Sequence, residues 1–261
     1  LGPALAGQGV KTPIHSLYVY HANPAAVTSD QNAILWGLAR EDLFTVVHER
    51  YLTDTAKYAD LILPAPYMVE TTDLYTPYGY RQIQYVRPVV KAPGQVKSNW
   101  EVFTLLAAAL GLEDPYKGRT PEELCRAMVE ASPALSPAEK QQVLAGEPVV
   151  LESPFPLPIE TDDGKVHLAD PIPTWFAPHG GPEPFRLVCA PAVHTLNSSF
   201  NELPALQALR GEMTVRLNGD DAARLGLAHG DRAVCSNDLG EMTCIVALDK
   251  AVAPRTVVAE G

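Results

Sequence analysis

The sequence predicts a mixed α/β chain: a partial doubly wound parallel-sheet domain followed by a small β-barrel. Two observations carry this. Residues 16–50 read as strand, helix, strand, the βαβ unit that favours a parallel sheet with a right-handed crossover. Residues 183–261 hold many short strands separated by tight turns, the pattern of a small barrel. The expected division is an α/β domain over 1–130, a Pro-rich connecting segment over 131–182, and the barrel over 183–261.

In the first part, SLYVYHANP (16–24) is an apolar run broken by Asn23-Pro24, a strand ending in a turn. Thr28 or Ser29 is the N-cap candidate of the next helix, whose apolar positions are Ile34, Leu35 and Leu38. DLFTVVHER (42–50) is the second strand, and Ala59–Leu63 reads as a third, buried strand stopped by Pro64 and Pro66. RQIQYVRPVV (81–90) alternates like a strand or extended edge. Three helices then carry their own start signals. Ser98 with Glu101, Thr120 with Glu123 and Ser136 with Glu139 are capping boxes, Pro121 and Pro137 suit first helical positions, and Gly111 and Gly146 are stops.

In the last part, strands are expected within 185–195, 213–218, 231–236, 240–248 and 255–260. GDDAARLGLAHGD (219–231) is a short helix closed by Gly226, with a turn at Gly230, and NDLG (237–240) is a hairpin turn. The stretches 152–160 and 169–185 are too rich in proline for long helices or central strands, and a domain boundary is expected near 180.

Composition narrows the function. Hydrophobic residues make up 46% and charged residues 20%, so the chain is globular. A net charge of −11 argues against binding nucleic acid or an anionic membrane through bulk electrostatics, and no apolar run is long enough for a membrane span. Cys125, Cys189, Cys235 and Cys244 show no C-x-x-C spacing, so no zinc or iron–sulfur site is expected among them. They read as buried free thiols in a reducing cytoplasm, with Cys235 and Cys244 on neighbouring strands of one hairpin. The periplasm is the alternative setting.

No dinucleotide fingerprint, P-loop, nucleophile elbow or paired-histidine metal motif occurs. No spacing fixes the separation of Asp60 and Glu70, so no acid/base pair is assigned to them. No catalytic or metal-ligating residue is therefore predicted. What remains is a row of punctuated strand ends: His21–Pro24, His48–Arg50 and Pro64–Pro66. In parallel α/β sheets ligands sit at the carboxyl ends of strands, so these three form a candidate binding edge.

Several segments, taken in order, resemble molybdopterin oxidoreductases of the dimethyl sulfoxide reductase superfamily. They are Asn23-Pro24, DLFTVVHE (42–49), TDTAKYADLILP (53–64), the Glu70 region, PGQVKSNWEVFTLLAAALG (93–111), HTLNSSF (194–200) and 215–248. The resemblance covers nearly the whole chain. It implies that the strand ends and the first barrel loop hold one half of a bis-molybdopterin guanine dinucleotide, carrying molybdenum or tungsten. It makes the barrel a dinucleotide-binding, double-psi type. A Pro-bounded edge would hold backbone donors and carboxylates in fixed positions for that cofactor.

By that resemblance Asn23 faces the cofactor, and His48 and Glu49 lie where a nucleotide is recognised. Thr71 and Asn99 lie where related proteins also touch the cofactor, and His194, Thr195, Asn197 and Ser198 offer neutral donors to phosphates and pterin. Two departures stand out. Cys189-Ala190-Pro191 replaces the Thr-Gly-Arg of many relatives, removing a guanidinium, and TTDLYTPYGYRQ (71–82) replaces a Gly-rich segment.

The resemblance also implies that this is the C-terminal portion of a longer oxidoreductase, with the barrel cut short. The [4Fe-4S] cluster and the protein ligand to the metal would lie in the rest of the catalytic subunit. The expected partners are that remainder and an electron-transfer iron–sulfur subunit, with no nucleic acid and no membrane contact. The whole protein would carry out two-electron oxygen-atom or hydride-type chemistry on a substrate the sequence leaves open. This chain alone is expected to be inactive and to self-associate through bared apolar surface. The alternative is a non-catalytic scaffold or subunit-docking module of the same fold, which would lose the polar residues at the strand ends.

Overall fold

The computed structural model of the protein describes residues 1–113, 118–151, 159, 161–168 and 185–260. The boundary expected near 180 and most of the two Pro-rich stretches lie outside the described residues. In chain order the first elements are α1 (Gly2–Leu5), β1 (Ser16–Tyr20), α2 (Pro24–Val27), α3 (Gln31–Leu38), β2 (Phe44–Glu49) and β3 (Leu61–Pro64). Then follow β4 (Asp73–Tyr75), β5 (Gln82–Val86), α4 (Asn99–Ala109), α5 (Pro121–Ala131), α6 (Pro137–Ala145) and β6 (Val149–Val150). The last are β7 (Arg186–Ala190), α7 (Pro204–Arg210), β8 (Thr214–Leu217), α8 (Gly219–Leu225), β9 (Arg232–Asn237), β10 (Gly240–Leu248) and β11 (Thr256–Glu260).

The fold is mixed α/β. A parallel sheet runs in the order β1-β2-β3, and a curled five-stranded half-barrel in the order β7-β11-β8-β10-β9. In the latter, β7–β11 and β8–β10 are parallel, whereas β11–β8 and β10–β9 are antiparallel. A third sheet, β4-β5-β6, is antiparallel.

The chain divides into two compact units. The first comprises Leu1–Val46, Tyr51–Asp60 and Ala169–Gly261, the second Val47–Arg50 and Leu61–Leu168. Within the first unit, Leu5, Ala25, Ile34, Leu38 and Leu43 form one core. Val215, Cys244, Val257 and Ala259 form a second, in the half-barrel. Gly37 lets α1 approach α3: a Cβ there would lie 2.5 Å from that of Leu5. In the second unit, Tyr85, Cys125, Val129, Leu135, Val143 and Val149 pack together under α5 and α6.

The capping boxes at Ser98, Thr120 and Ser136 all form, and Gly146 and Gly226 close their helices in the left-handed region. The NDLG hairpin is present, with Asn237 Oδ1 accepting from the backbone N–H of Leu239 and Gly240.

Several expectations are corrected. The N-cap of α3 is Asp30, whose carboxylate accepts from Ala33 N, rather than Thr28 or Ser29. Asn23-Pro24 opens the short helix α2, because proline suits a first helical position. The third strand begins at Leu61, includes Pro64, and is not buried: Leu61 is 44% and Ile62 40% exposed, because β3 is a sheet edge. The preceding residues are drawn into a 3-10 turn, Thr55–Tyr58, that Ala59 N closes on Ala56 O. Of the four free thiols, Cys125 and Cys244 are buried but Cys189, on the edge strand β7, is exposed. Helix α7 and strands β4 and β6 were not foreseen.

Candidate functional site

The strand ends consist of polar residues that bond to one another. Asn23 is buried, and its Oδ1 accepts from both the backbone N and the Oγ1 of Thr55, at 3.0 and 2.8 Å. Thr55 Oγ1 in turn accepts from Ala25 N at 3.1 Å, so one buried hydroxyl ties the end of β1 to the 3-10 turn. The Lys57 ammonium, bonded to Asp54 Oδ1 at 2.7 Å, and to a lesser degree the Asn23 side chain hold the Asp54 carboxyl below the ordinary aspartate range.

Asp60 Oδ2 accepts from Thr45 N at 2.7 Å and Asp60 N donates to Thr45 O, which fixes the start of β3. Glu70 Oε2 accepts from Tyr67 N and closes the 3-10 turn Met68–Glu70. Both carboxylates the sequence left without chemistry are thus spent on backbone.

In the second unit His48 is fully buried at the end of β2, with Nε2–H donating to Lys97 O at 3.0 Å. Lys97 N donates to Pro64 O, so the segment entering α4 is clamped to the ends of β2 and β3. This places Asn99, the half-buried first residue of α4, close in sequence to that clamp. The Glu49 carboxylate, 10% exposed, accepts from Arg50 N, while the Arg50 guanidinium lies over the Tyr67 ring, 5.9 Å from its centre. Thr71 ends the 3-10 turn, and its hydroxyl donates to Thr72 O. His48 and Glu49 thus sit together at the end of β2, Asn99 lies two residues beyond the Lys97 that His48 bonds, and Thr71 is on a separate turn.

The loop after β7 is built differently. Thr195 N donates to Ala192 O and Ser199 N to Leu196 O, making two successive turns. Asn197 takes the left-handed conformation, φ 54°, which asparagine tolerates better than most residues. His194 and Asn197 are exposed, and Ser198 is half-buried. Thr195 is buried, and its Oγ1 has no hydrogen-bond partner among the described residues.

Beside this loop is a cleft of about 230 Å³, lined by Val193, His194, Arg210, Glu212, Thr214 and Glu260 among others. Glu260 is ion-paired with Arg216 and Glu212 with Arg232, whereas the Arg210 side chain has no hydrogen bond or ion pair with a described residue. No sequence pattern pointed to Thr55 as a buried hub or to Arg210 in this cleft. A proline at the start of ELPALQALRG was the only hint of the helix that carries Arg210.

Among the described residues no group of three or more His, Cys, Asp or Glu is arranged to hold a metal ion. No helix among them is long and apolar enough to cross a membrane.

Residues 4–109 match the molybdopterin oxidoreductase family and residues 185–261 the molybdopterin dinucleotide binding domain. The chain belongs to the molybdopterin oxidoreductase family. It is 35% identical to "Probable oxidoreductase YoaE" of Bacillus subtilis (strain 168) over 95% of its own length and 39% of that protein's. It is 34% identical to "Putative formate dehydrogenase SH0748" of Staphylococcus haemolyticus (strain JCSC1435), over 47% of this chain and 12% of that one. Its fold resembles acetylene hydratase from Pelobacter acetylenicus, with a TM-score of 0.74 and 18% identity over 99% of this chain and 38% of that one. The chain thus spans about two fifths of the length of YoaE.

Proposed function

We propose that this chain is the cofactor-binding part of a molybdopterin oxidoreductase and holds one side of a bis-molybdopterin guanine dinucleotide with molybdenum or tungsten. The observation that carries this reading is the loop after β7. It places His194 on the wall of a cleft, with Asn197 and Ser198 in the turn that follows, in the segment matched to a dinucleotide-binding domain.

The donor set fits the group. Neutral side chains and backbone N–H groups bond phosphate oxygens and pterin edges without placing a second buried charge nearby. Thr195 holds a buried hydroxyl with no described partner in the same loop. The cleft is smaller than the ~300–1,000 Å³ typical of a whole ligand site and suits one part of the cofactor, such as its diphosphate. The bound group supplies the two-electron redox chemistry, and the residues of this chain bind and orient it without a catalytic side chain. Two-electron chemistry of the oxygen-atom or hydride type is the proposed activity of the whole protein, and the names of the two sequence relatives, an oxidoreductase and a formate dehydrogenase, support its redox character.

The remaining polypeptide of a longer catalytic subunit, with its [4Fe-4S] cluster, and an electron-transfer subunit are the proposed partners. Helix α4 supports them. Val102, Phe103, Leu105, Leu106 and three alanines make it apolar around its circumference, yet none of its residues is buried. Such a helix belongs inside a larger body. The double-psi closure of the barrel, the division at 130 and 182, and a cytoplasmic setting belong to the same proposal, the last supported by four free thiols.

The scaffold reading draws support from one observation, the inward bonding of Asn23 and His48. The test is to purify the chain from a host that makes the cofactor, denature it, and assay the released material. Pterin fluorescence with a guanine nucleotide is the expected result. A folded chain that releases neither contradicts the proposal.

A further inference from the structure

The loop after β7 opens with Pro191, so its own first residues bring no cation to the cleft beside them. The cation in that cleft comes from elsewhere in the sequence, at the last turn of α7. Arg210 is half-buried and lines the cleft with Val193, His194 and Leu209. The chain has 31 Asp and Glu against 20 Lys and Arg, so a cation is easily paired. Yet the two carboxylates lining the cleft are taken by Arg216 and Arg232, and Arg210 has no described partner.

A guanidinium kept partly from water and left without a carboxylate has five donors directed at no acceptor of the fold. An anion with planar, paired oxygens satisfies them, and a phosphate or diphosphate does so bidentately. The neighbouring groups suit such a ligand. His194, on the wall of the same cleft, adds a ring N–H.

We propose that Arg210 is the phosphate-anchoring residue of this cleft, and that the ligand it takes is a phosphate-bearing one of diphosphate size. The naming of that ligand as the dinucleotide's diphosphate rests on the function proposed above. The anion site itself rests on the cleft.

The test is calorimetric titration of the full chain with inorganic pyrophosphate, GDP and guanosine. The variants are Arg210→Gln, Arg210→Lys and, as a surface control in the other unit, Lys140→Gln. Arg210 makes no bond to the described fold, so Arg210→Gln should keep the melting temperature of the parent, which shows that the variant is folded. Arg210→Lys guards against a fault of that one variant.

Pyrophosphate and GDP should bind the parent and Lys140→Gln alike and lose about tenfold or more in affinity in Arg210→Gln. Arg210→Lys should retain part of it, and guanosine should be unaffected by any change. Parent-like pyrophosphate binding in Arg210→Gln, an equal loss in Lys140→Gln, or no binding by the parent overturns the proposal. Arg210-dependent binding of pyrophosphate in a chain that retains no pterin supports the anion site while removing the cofactor reading. Retention of the pterin dinucleotide undiminished in Arg210→Gln removes the role of Arg210 and leaves that reading in place.

Discussion

Asn23 and Asn197 are both asparagines at a chain reversal, and the fold uses them in opposite ways. Asn23 is buried, and its carbonyl accepts twice from Thr55. Asn197 stands exposed in a left-handed turn beside two other polar side chains. The same contrast separates His48, buried and donating to Lys97 O, from His194, exposed on the wall of a cleft. A polar side chain at a strand end is thus no sign of a ligand by itself, because buried backbone groups must be satisfied and compete for it. The loop after β7 satisfies its backbone with its own turns and leaves its side chains for something else.

Four substitutions sharpen this comparison. Asn23→Ala should cost most, about 3 kcal/mol, because it strands two buried donors of Thr55. Urea unfolding measures it, and a cost near zero would return Asn23 to the list of free ligand contacts. His48→Leu should cost about 2 kcal/mol, by leaving Lys97 O without its donor. Guanidinium unfolding of the variant checks the figure. Asn197→Ala should cost only about 1 kcal/mol, from a Cβ held at positive φ, and Asn197→Gly close to nothing. Cofactor or GDP affinity should nonetheless fall in both, the reverse of the pattern expected at Asn23.

The smallest effect is on pH dependence. The Asp54 carboxyl is depressed by Lys57 first and by Asn23 less. A depressed acid contributes stability that is present above its unfolded value, about pH 4, and lost as pH falls through the folded value. Replacing Lys57 by Met should flatten the acid limb of the stability curve below about pH 4, and only slightly, since the pair is exposed and screened by solvent. A steeper limb would contradict this assignment.

These contrasts mark what the sequence could convey. Capping boxes and glycine stops are local, so α4, α5 and α6 could be read with their caps from residues three apart. Strands β7 to β11 announced themselves by short apolar runs between turns. What was hidden depends on distant partners. Asp60 and Glu70 look like candidate acids until Thr45 N and Tyr67 N are seen to take them. ADLIL looks like a core strand because sequence does not reveal that β3 has a neighbour on one side only. Arg210, in the last turn of α7, shares a cleft with His194 only through the fold, which no local pattern shows.

The most direct test of the central contrast is amide hydrogen exchange on the full chain with and without GDP. Binding through the loop after β7 predicts slowed exchange over 192–199 and near 210, with 21–24 and 45–49 unchanged. Slowed exchange at the strand ends, with the loop unaffected, would contradict it.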